Sequence, residues 1–381
     1  MLPSGKVLIA GGWKNGITYL FDPEAGSFRP VGSSHLYPFS RYWHTATLLR
    51  NGTVLVTGGD NAGDNSNPTA EAALYDLAAE RFIGSGSMAA RRQLHSATLL
   101  PGGTVLVADG ISGELYDPAS GTFSIVPSIP GFSDFHGAVL LQDGRVLLAG
   151  RQEAALYTPP VRAVSAASLT APLAAGSLAS LMGSRLAAST ASAEAQSFPT
   201  TLGGVSLRIR DRTGQETLAP LSYVSPAQIN FQVPPGIATG DVTLDVVNSP
   251  SNVGGVTAAV QPVAPGLFAL ADGSAAAYGV RNEAGGRQTV LPPGAVVLDE
   301  RPVHLVVYAT GVRNRTSLSN VHAAIGGVRV PVVYAGPAGD GVPGLDQVNI
   351  ELTAALKGQG HQDLTLTVDG IASNPVRLEL R

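Results

Sequence analysis

The chain has 381 residues, 44% hydrophobic and 14% charged, with a net charge of −4 and no cysteine. Without a basic patch it is a poor match for nucleic acid or an anionic membrane surface, and without cysteine it has no disulfide, thiolate nucleophile or cysteine-based metal site. The 46 glycines and 27 prolines exceed the usual share of about 12% and suit many short strands joined by turns.

The first 157 residues repeat one phrase four times. Its intact form runs from His95 through the turn Pro101-Gly102-Gly103 to Gly110, then from Glu114 to Pro118, then from Gly121 to Phe123. It opens again at His44 and at His136. At the start of the chain only its second half stands, from Leu2 to Gly12, followed by Leu20 to Pro23 and Gly26 to Phe28. The turn glycines Gly5, Gly52, Gly103 and Gly144 lie 47, 51 and 41 residues apart, and a recurring period of this size marks a repeat architecture. Apolar runs flank each turn, and Asn51-Gly52 and Asp143-Gly144 are strong hairpin signals. Each unit is predicted as four antiparallel strands. The first leads into the turn and the second leaves it; the third carries Leu-Tyr-Asp, and the fourth starts at Phe28, Phe82 or Phe123.

The glycines closing the second strand (Gly11-Gly12, Gly58-Gly59), the Tyr-Asp-Pro and the Gly-x-Phe at matching offsets resemble bacterial kelch repeats, also found in galactose-oxidase-type propellers. No Trp-Asp dipeptide of the WD40 kind occurs. The resemblance implies a kelch-like partial β-propeller over residues 1–160. These hold about three and a half repeats, whereas propellers close with 4–8 blades. The first repeat lacks its His-x-Ala-Thr strand, the fourth its Gly-x-Phe strand, and Met1 aligns with Leu99 inside a predicted strand. The expectation is a chain that begins mid-blade and self-associates through open propeller edges. The alternative is a four-blade ring closed by pairing the first and last strands. The copper cofactor of galactose-oxidase-type enzymes needs a tyrosine cross-linked to a cysteine, so none is expected here.

From Ala163 to Ser184 no residue is charged. The stretch is mostly Ala, Ser, Gly and Thr with Pro172 inside, so it reads as a linker and first strand rather than a membrane span. Beyond it a second duplication appears. Leu202-Gly203-Gly204-Val205 matches Ile325-Gly326-Gly327-Val328, Gln228-Ile229-Asn230 matches Gln347-Val348-Asn349, and Asp241 to Val246 matches Asp363 to Val368. Period-two alternation predicts half-buried strands, and two β-sandwiches of the immunoglobulin-like kind are expected over 161–265 and 266–381. In them Val205 is expected to superpose on Val328, and Asn230 on Asn349. Ala174 to Gly183, Leu221 to Pro234 and Ala264 to Phe268 resemble an uncharacterised C-terminal domain family abundant in Acidobacteria such as Solibacter. That resemblance covers roughly residues 165–381 and implies exported, multi-domain proteins, with no activity attached. The fold class is therefore all-β, a partial propeller followed by two sandwiches.

His44, His95 and His136 share one repeat position, which reads as an imidazole serving the blade. His304, His322 and His361 have no metal-ligand spacing. Arg41 and Arg92 each stand three residues before a repeat histidine, with Arg91 adjoining, and Ser133 takes that place in the fourth repeat. They suit either a salt bridge between blades or recognition of an anionic group or sugar hydroxyl. Trp13, Tyr42 and Trp43 supply aromatic faces in the same half, suited to core packing or to stacking on a sugar. Asp60 to Asn67 has a calcium-loop composition without EF-hand spacing and reads as a solvated loop. No Gly-x-Ser-x-Gly, His-Glu-x-x-His or phosphate loop is present. The reading is a non-catalytic exported or cell-surface protein that binds a glycan or protein through Trp13, Arg41, Tyr42, Trp43, Arg91 and Arg92, with the sandwiches as stalk or attachment modules. No signal peptide is visible at Met1, and no cofactor or metal is expected. The alternatives are an enzyme whose site lies on blades outside this chain, and a non-binding remnant of a longer protein.

Overall fold

The computed structural model describes the chain except residues 3, 12–17, 32–40, 62–65, 78, 128, 130–134, 249, 251–252, 283–286, 292–295, 297, 299–302 and 354–355, and the side chains of Phe135, His136 and Asn282. The described residues are all-β apart from 3-10 turns, one of them Leu318–Asn320. The chain divides into two compact units, Met1–Pro159 and Pro160–Arg381. No helix among the described residues is long and apolar enough to cross a membrane.

Among the described residues the first unit holds four antiparallel sheets, each paired in chain order. The first sheet is β1 (Val7–Ile9), β2 (Thr18–Asp22) and β3 (Ser27–Val31). The second is β4 (Thr45–Leu48), β5 (Val54–Thr57), β6 (Ala72–Asp76) and β7 (Arg81–Gly84). The third is β8 (Ser96–Leu99), β9 (Val105–Ala108), β10 (Gly113–Asp117) and β11 (Thr122–Ile125), and the fourth is β12 (Phe135–Leu140), β13 (Val146–Gly150) and β14 (Ala154–Tyr157). Among the described residues β1 pairs only with β2 and β14 only with β13, so no strand pairing closes a ring from first sheet to last.

One turn recurs four times. The amides of Leu2, Leu49, Leu100 and Leu141 each donate to the carbonyl four residues on at 2.8 Å, and the glycine amide donates back at 3.0–3.1 Å. Gly5, Gly52, Gly103 and Gly144 hold φ between 80° and 85°, the left-handed region where a Cβ is disfavoured. Each turn starts a strand whose side chains alternate between faces. Two and four residues past the glycine stand Val54 and Val56, Val105 and Val107, or Val146 and Leu148, all buried. On the opposite face, three residues past it, stand Leu55 and Leu106, also buried.

This alternation sets the packing. The valine face of the second sheet, with Tyr75 and Phe82, packs on Leu2 and Leu20 of the first sheet and its leader. The valine face of the third, with Tyr116, packs on Leu49 and Leu55 of the second. The fourth sheet, through Val146, Leu148 and Tyr157, packs on Leu100 and Leu106 of the third. One sheet's leucine face meets the next sheet's valine-and-tyrosine face three times. Within sheets a cross-strand aromatic pair also repeats: Phe21 with Phe28, Tyr75 with Phe82 and Tyr116 with Phe123, at centroid distances of 4.7, 5.0 and 4.8 Å, a pairing that adds to simple area burial.

The second unit contains two two-layer sandwiches. In the first, one sheet has the order β15 (Arg162–Ser165), β17 (Leu178–Met182), β22 (Gln228–Gln232), β21 (Leu221–Val224), β18 (Ala191–Ser192). Facing it are β16 (Leu173–Ala174), β24 (Val256–Gln261), β23 (Gly240–Val247), β19 (Ser206–Arg210) and β20 (Glu216–Leu218). Leu181, Phe231 and Ile229 of one layer share a core with Leu207, Leu244 and Val260 of the other. In the second sandwich the larger sheet runs β27 (Gln288–Leu291), β26 (Ala277–Asn282), β28 (Val303–Thr310), β32 (Asp346–Leu352), β31 (Val332–Pro337), with β25 (Gly266–Leu267) also on β28. Its partner runs β30 (Val328–Val330), β29 (Val321–Ile325), β33 (Gly360–Val368), β34 (Ile371–Ala372), with β35 (Val376–Leu380) also on β33. A separate core, starting at Val263, lies between these layers.

The strand triplets β17-β22-β21 and β28-β32-β31 correspond in the two sandwiches, and Asn230 and Asn349 occupy matching places. Asn230 sits opposite Ser180 and Tyr223, and Asn349 opposite Val306 and Tyr334. Each accepts at Oδ1 from the glutamine two residues before it, Gln228 at 2.5 Å and Gln347 at 2.7 Å. The expected match of Val205 with Val328 is corrected. Val205 leads into β19, which pairs directly with β23, whereas Val328 opens β30, which pairs with β29 and lies one strand away from β33. The Gly-Gly pairs do form the same local turn, with φ of 55° and 83° at Gly203-Gly204 and 57° and 80° at Gly326-Gly327. The phrase encodes a two-residue hairpin turn, and the fold uses that turn between different strands.

Within this unit polar contacts join the sandwiches. The Leu178 amide donates to Thr310 Oγ1 at 2.7 Å, Thr310 Oγ1 donates to the Gly344 carbonyl at 2.9 Å, and Asn314 Nδ2 donates to the Ala175 carbonyl at 2.8 Å. The Arg313 side chain, against which a Cβ at Gly176 would press at 3.2 Å, is fixed by Asp346 at 2.8 Å.

Two glycines of the first unit give a direct contrast. Gly5 has nothing within 4 Å of a Cβ added to it, while a Cβ on Gly58, at φ +59°, would stand 2.5 Å from the Arg92 carbonyl oxygen. Gly5→Ala is predicted to cost about 1 kcal/mol, and Gly58→Ala about 3 kcal/mol, because left-handed strain and overpacking add. Urea unfolding of both variants checks the order; equal losses would count against the close approach.

Candidate functional site

The loops where first strands begin and second strands end meet at one end of the sheets, and five of the six predicted binding residues described by the structure lie there. Trp13 falls outside the described residues. The other five divide into a buried pair and an outer group, in which Trp43 and Arg91 are exposed and Tyr42 is half-buried.

Arg41 and Arg92 are buried, at 1% and 2% exposure. Arg41 pairs with the Glu71 carboxylate, and its Nη1 lies 3.5 Å from the Glu71 carbonyl. Arg92 meets Asp109 Oδ2 at 2.6 Å and Glu114 Oε1 at 3.1 Å, and donates to the Ser112 carbonyl at 3.1 Å. Both guanidiniums thus tie the entry of a sheet's first strand to the entry of its third. The ion pairs lie within one sheet rather than between blades. Burial and carboxylate pairing remove these side chains from any ligand-facing role expected of them. The Arg92 main chain does bridge sheets: its amide donates to the Thr69 carbonyl at 3.1 Å, and its carbonyl accepts from Gly59 at 2.8 Å.

The repeat histidines serve the same joint. His95 Nε2 stands 3.1 Å from the hydroxyls of both Thr45 and Thr57 on the preceding sheet. A Cβ on Gly58 would meet its ring at 2.7 Å, and a Cβ on Gly11 would meet the His44 ring at 2.4 Å. Gly11 and Gly58, just after the second strand, therefore make room for the next repeat's imidazole. Burial, with the Arg92 charge second, pushes the His95 imidazole down to about 4, and burial lowers His44 as well. Both rings are neutral at pH 7. The His136 side chain and residues 62–65 of the Asp60 to Asn67 loop lie outside the described residues; Asp60 itself is buried and accepts from the Asn67 amide at 2.7 Å. Among the described residues no three of His, Cys, Asp and Glu gather to hold a metal.

The outer group forms one strip. The Tyr42 and Trp43 rings are tilted with centroids 5.9 Å apart. Tyr42 exchanges backbone hydrogen bonds with Asp60 at 3.0 and 2.8 Å, Asp60 bridges to Pro68, and Arg91 Nη1 donates to the Pro68 carbonyl at 3.4 Å. On the other side the Leu94 amide donates to the Trp43 carbonyl at 3.2 Å. Trp43 and Leu94, each directly before a repeat histidine, have φ of +54° and +51°. The left-handed kink lifts them out of the strand path, and they are 38% and 57% exposed. Left-handed backbone is unfavourable for such bulky residues. Leu94 was not among the sequence candidates. Its signal was its alignment with Trp43 and Phe135, an apolar residue repeated at a strand entrance.

No known protein family matches the chain, and no curated protein matches it. Among solved structures, the extracellular domain of a protein from B. thetaiotaomicron described as a one-component system aligns with 99% of this chain and 78% of its own, at 8% identity and a TM-score of 0.31. A score that low carries no argument about fold or role.

The histidines predict a pH dependence. A neutral buried imidazole has a folded pKa below its unfolded value, so the unfolded chain binds more protons as pH falls. The contribution is complete above 6.5 and is lost as pH falls toward about 4, with His95 accounting for up to about 3 kcal/mol at 1.36 kcal/mol per pKa unit. The urea midpoint of the first unit should drop across this window, and His95→Gln should flatten the drop. An unchanged profile in the variant would show that His95 is not the titrating group.

Proposed function

We propose that this chain is a non-catalytic binding protein of the bacterial cell exterior. In this reading residues 1–159 are a partial kelch-type propeller that presents its strand-entry end to a glycan or protein. The two sandwiches of the second unit are immunoglobulin-like stalk or attachment modules, built on cores alone. The exterior setting is supported by the likeness of residues 165–381 to exported acidobacterial domains.

The observation that carries the binding reading is the strip Arg91, Tyr42, Trp43 and Leu94, joined by backbone bonds and by the Arg91 side chain, in which Arg91, Trp43 and Leu94 are exposed and Tyr42 is half-buried. Two tilted aromatic faces beside a guanidinium suit a flat polar ligand: rings stack on the apolar face of a sugar while the fork donates to its oxygens. Arg41 and Arg92 support this surface from beneath, holding the loops that carry it.

A glycan array probed with wild type and with a Trp43→Ala/Arg91→Ala double variant tests this. A carbohydrate signal weakened by about tenfold or more in the variant, equivalent to about 1.4 kcal/mol, is expected. No signal, or one that the substitutions leave unchanged, removes this strip as the site.

A further inference from the structure

The rule that packs consecutive sheets leaves two faces over. On the first sheet the valine-and-aromatic face looks away from the second. Ile9 lies across from Tyr19, and Val7 across from Phe21, which in turn lies across from Phe28. Residues at these places in later sheets, such as Val56 and Val107, are fully buried, but here Ile9 is 41% and Phe28 62% exposed. On the fourth sheet the leucine face looks away from the third. Val139 lies across from Leu147, and Leu147 across from Leu156. Leu55 and Leu106, equivalent to Leu147, are fully buried, whereas Leu147 is half-buried and its neighbours Val139 and Leu156 are 53% and 45% exposed.

We infer that copies of this chain associate head to tail, the leucine face of one copy's fourth sheet packing on the valine-and-aromatic face of another copy's first sheet. The interior of the molecule specifies this occupant. Three internal interfaces join a leucine face to a valine-and-tyrosine face through the same repeat positions. The two uncovered faces are one of each kind. Neither complements itself by that rule, and each complements the other. Flat apolar faces of this sort mark association sites. A contact between two different faces is heterologous, so it builds a ring if its rotation closes and a growing series if it does not.

Light scattering after gel filtration of the full chain, with two single variants, decides the matter. Wild type should elute at a multiple of the 38.9 kDa chain mass. Ile9→Glu spoils the first-sheet face and Leu156→Glu the fourth-sheet face, and each variant alone should be monomeric. Mixed, they should form a one-to-one complex of two copies and no more. Each variant retains the face that the other has lost, and recovery in the mixture shows that both remain folded. A wild-type monomer at every concentration, as expected if further repeat sheets of a longer chain are the natural cover, overturns the inference. So does an oligomer that persists in both single variants, or one abolished by only one of them.

Discussion

The first unit depends on one contact, the burial of a leucine face against the next sheet's valine-and-tyrosine face. Each sheet is too small to hold its shape alone, because a repeat unit of three or four short strands cannot bury its apolar faces by itself. Stacking gives every inner sheet two covered faces, and the same three or four positions per repeat supply both. Val54 and Leu55 are neighbours in sequence yet belong to different interfaces. Period-two alternation carries that division, so a one-residue slip in register would exchange the two faces at once.

A second set of contacts fixes the sheets at one end. Buried Arg92 and Arg41 join strand entries within a sheet, while His95 and the Arg92 main chain reach the sheet before. These groups demand glycine at Gly11, Gly58 and Gly59, where a Cβ would collide with a ring or carbonyl. The belt leaves no solvent-facing guanidinium at those positions. What it presents outward is the residue before each histidine, pushed into left-handed backbone. The outward strip is thus a by-product of the joint: the conformation that seats His44 and His95 inside also sets Trp43 and Leu94 outside.

Much of the fold is legible in the sequence because its signals are local. A glycine at positive φ, an asparagine two residues after a glutamine, or a run of alternating valine and leucine states its own environment. The place of a turn within a topology is not local. Gly203-Gly204 and Gly326-Gly327 fold alike and still link different strands, so the matching phrase misled at Val205 and Val328. The site divides the same way. That Arg41 and Arg92 recur before a histidine is plain from the repeat, but their burial depends on Glu71, Asp109 and Glu114, which no fixed spacing ties to them. Leu94 carried no polar or aromatic signal; its alignment with Trp43 marks the position, and its exposure emerges only from backbone geometry.

The first unit is a stack of equivalent interfaces. A double-mutant cycle tests it most directly. Leu55→Ala and Val107→Ala fall in one interface, whereas Leu55→Ala and Leu148→Ala fall in different ones. Unfolding free energies should show a coupling of at least about 0.5 kcal/mol for the first pair and additivity within roughly 0.3–0.5 kcal/mol for the second. Additive losses within the shared interface, or equal coupling in both pairs, would contradict the account.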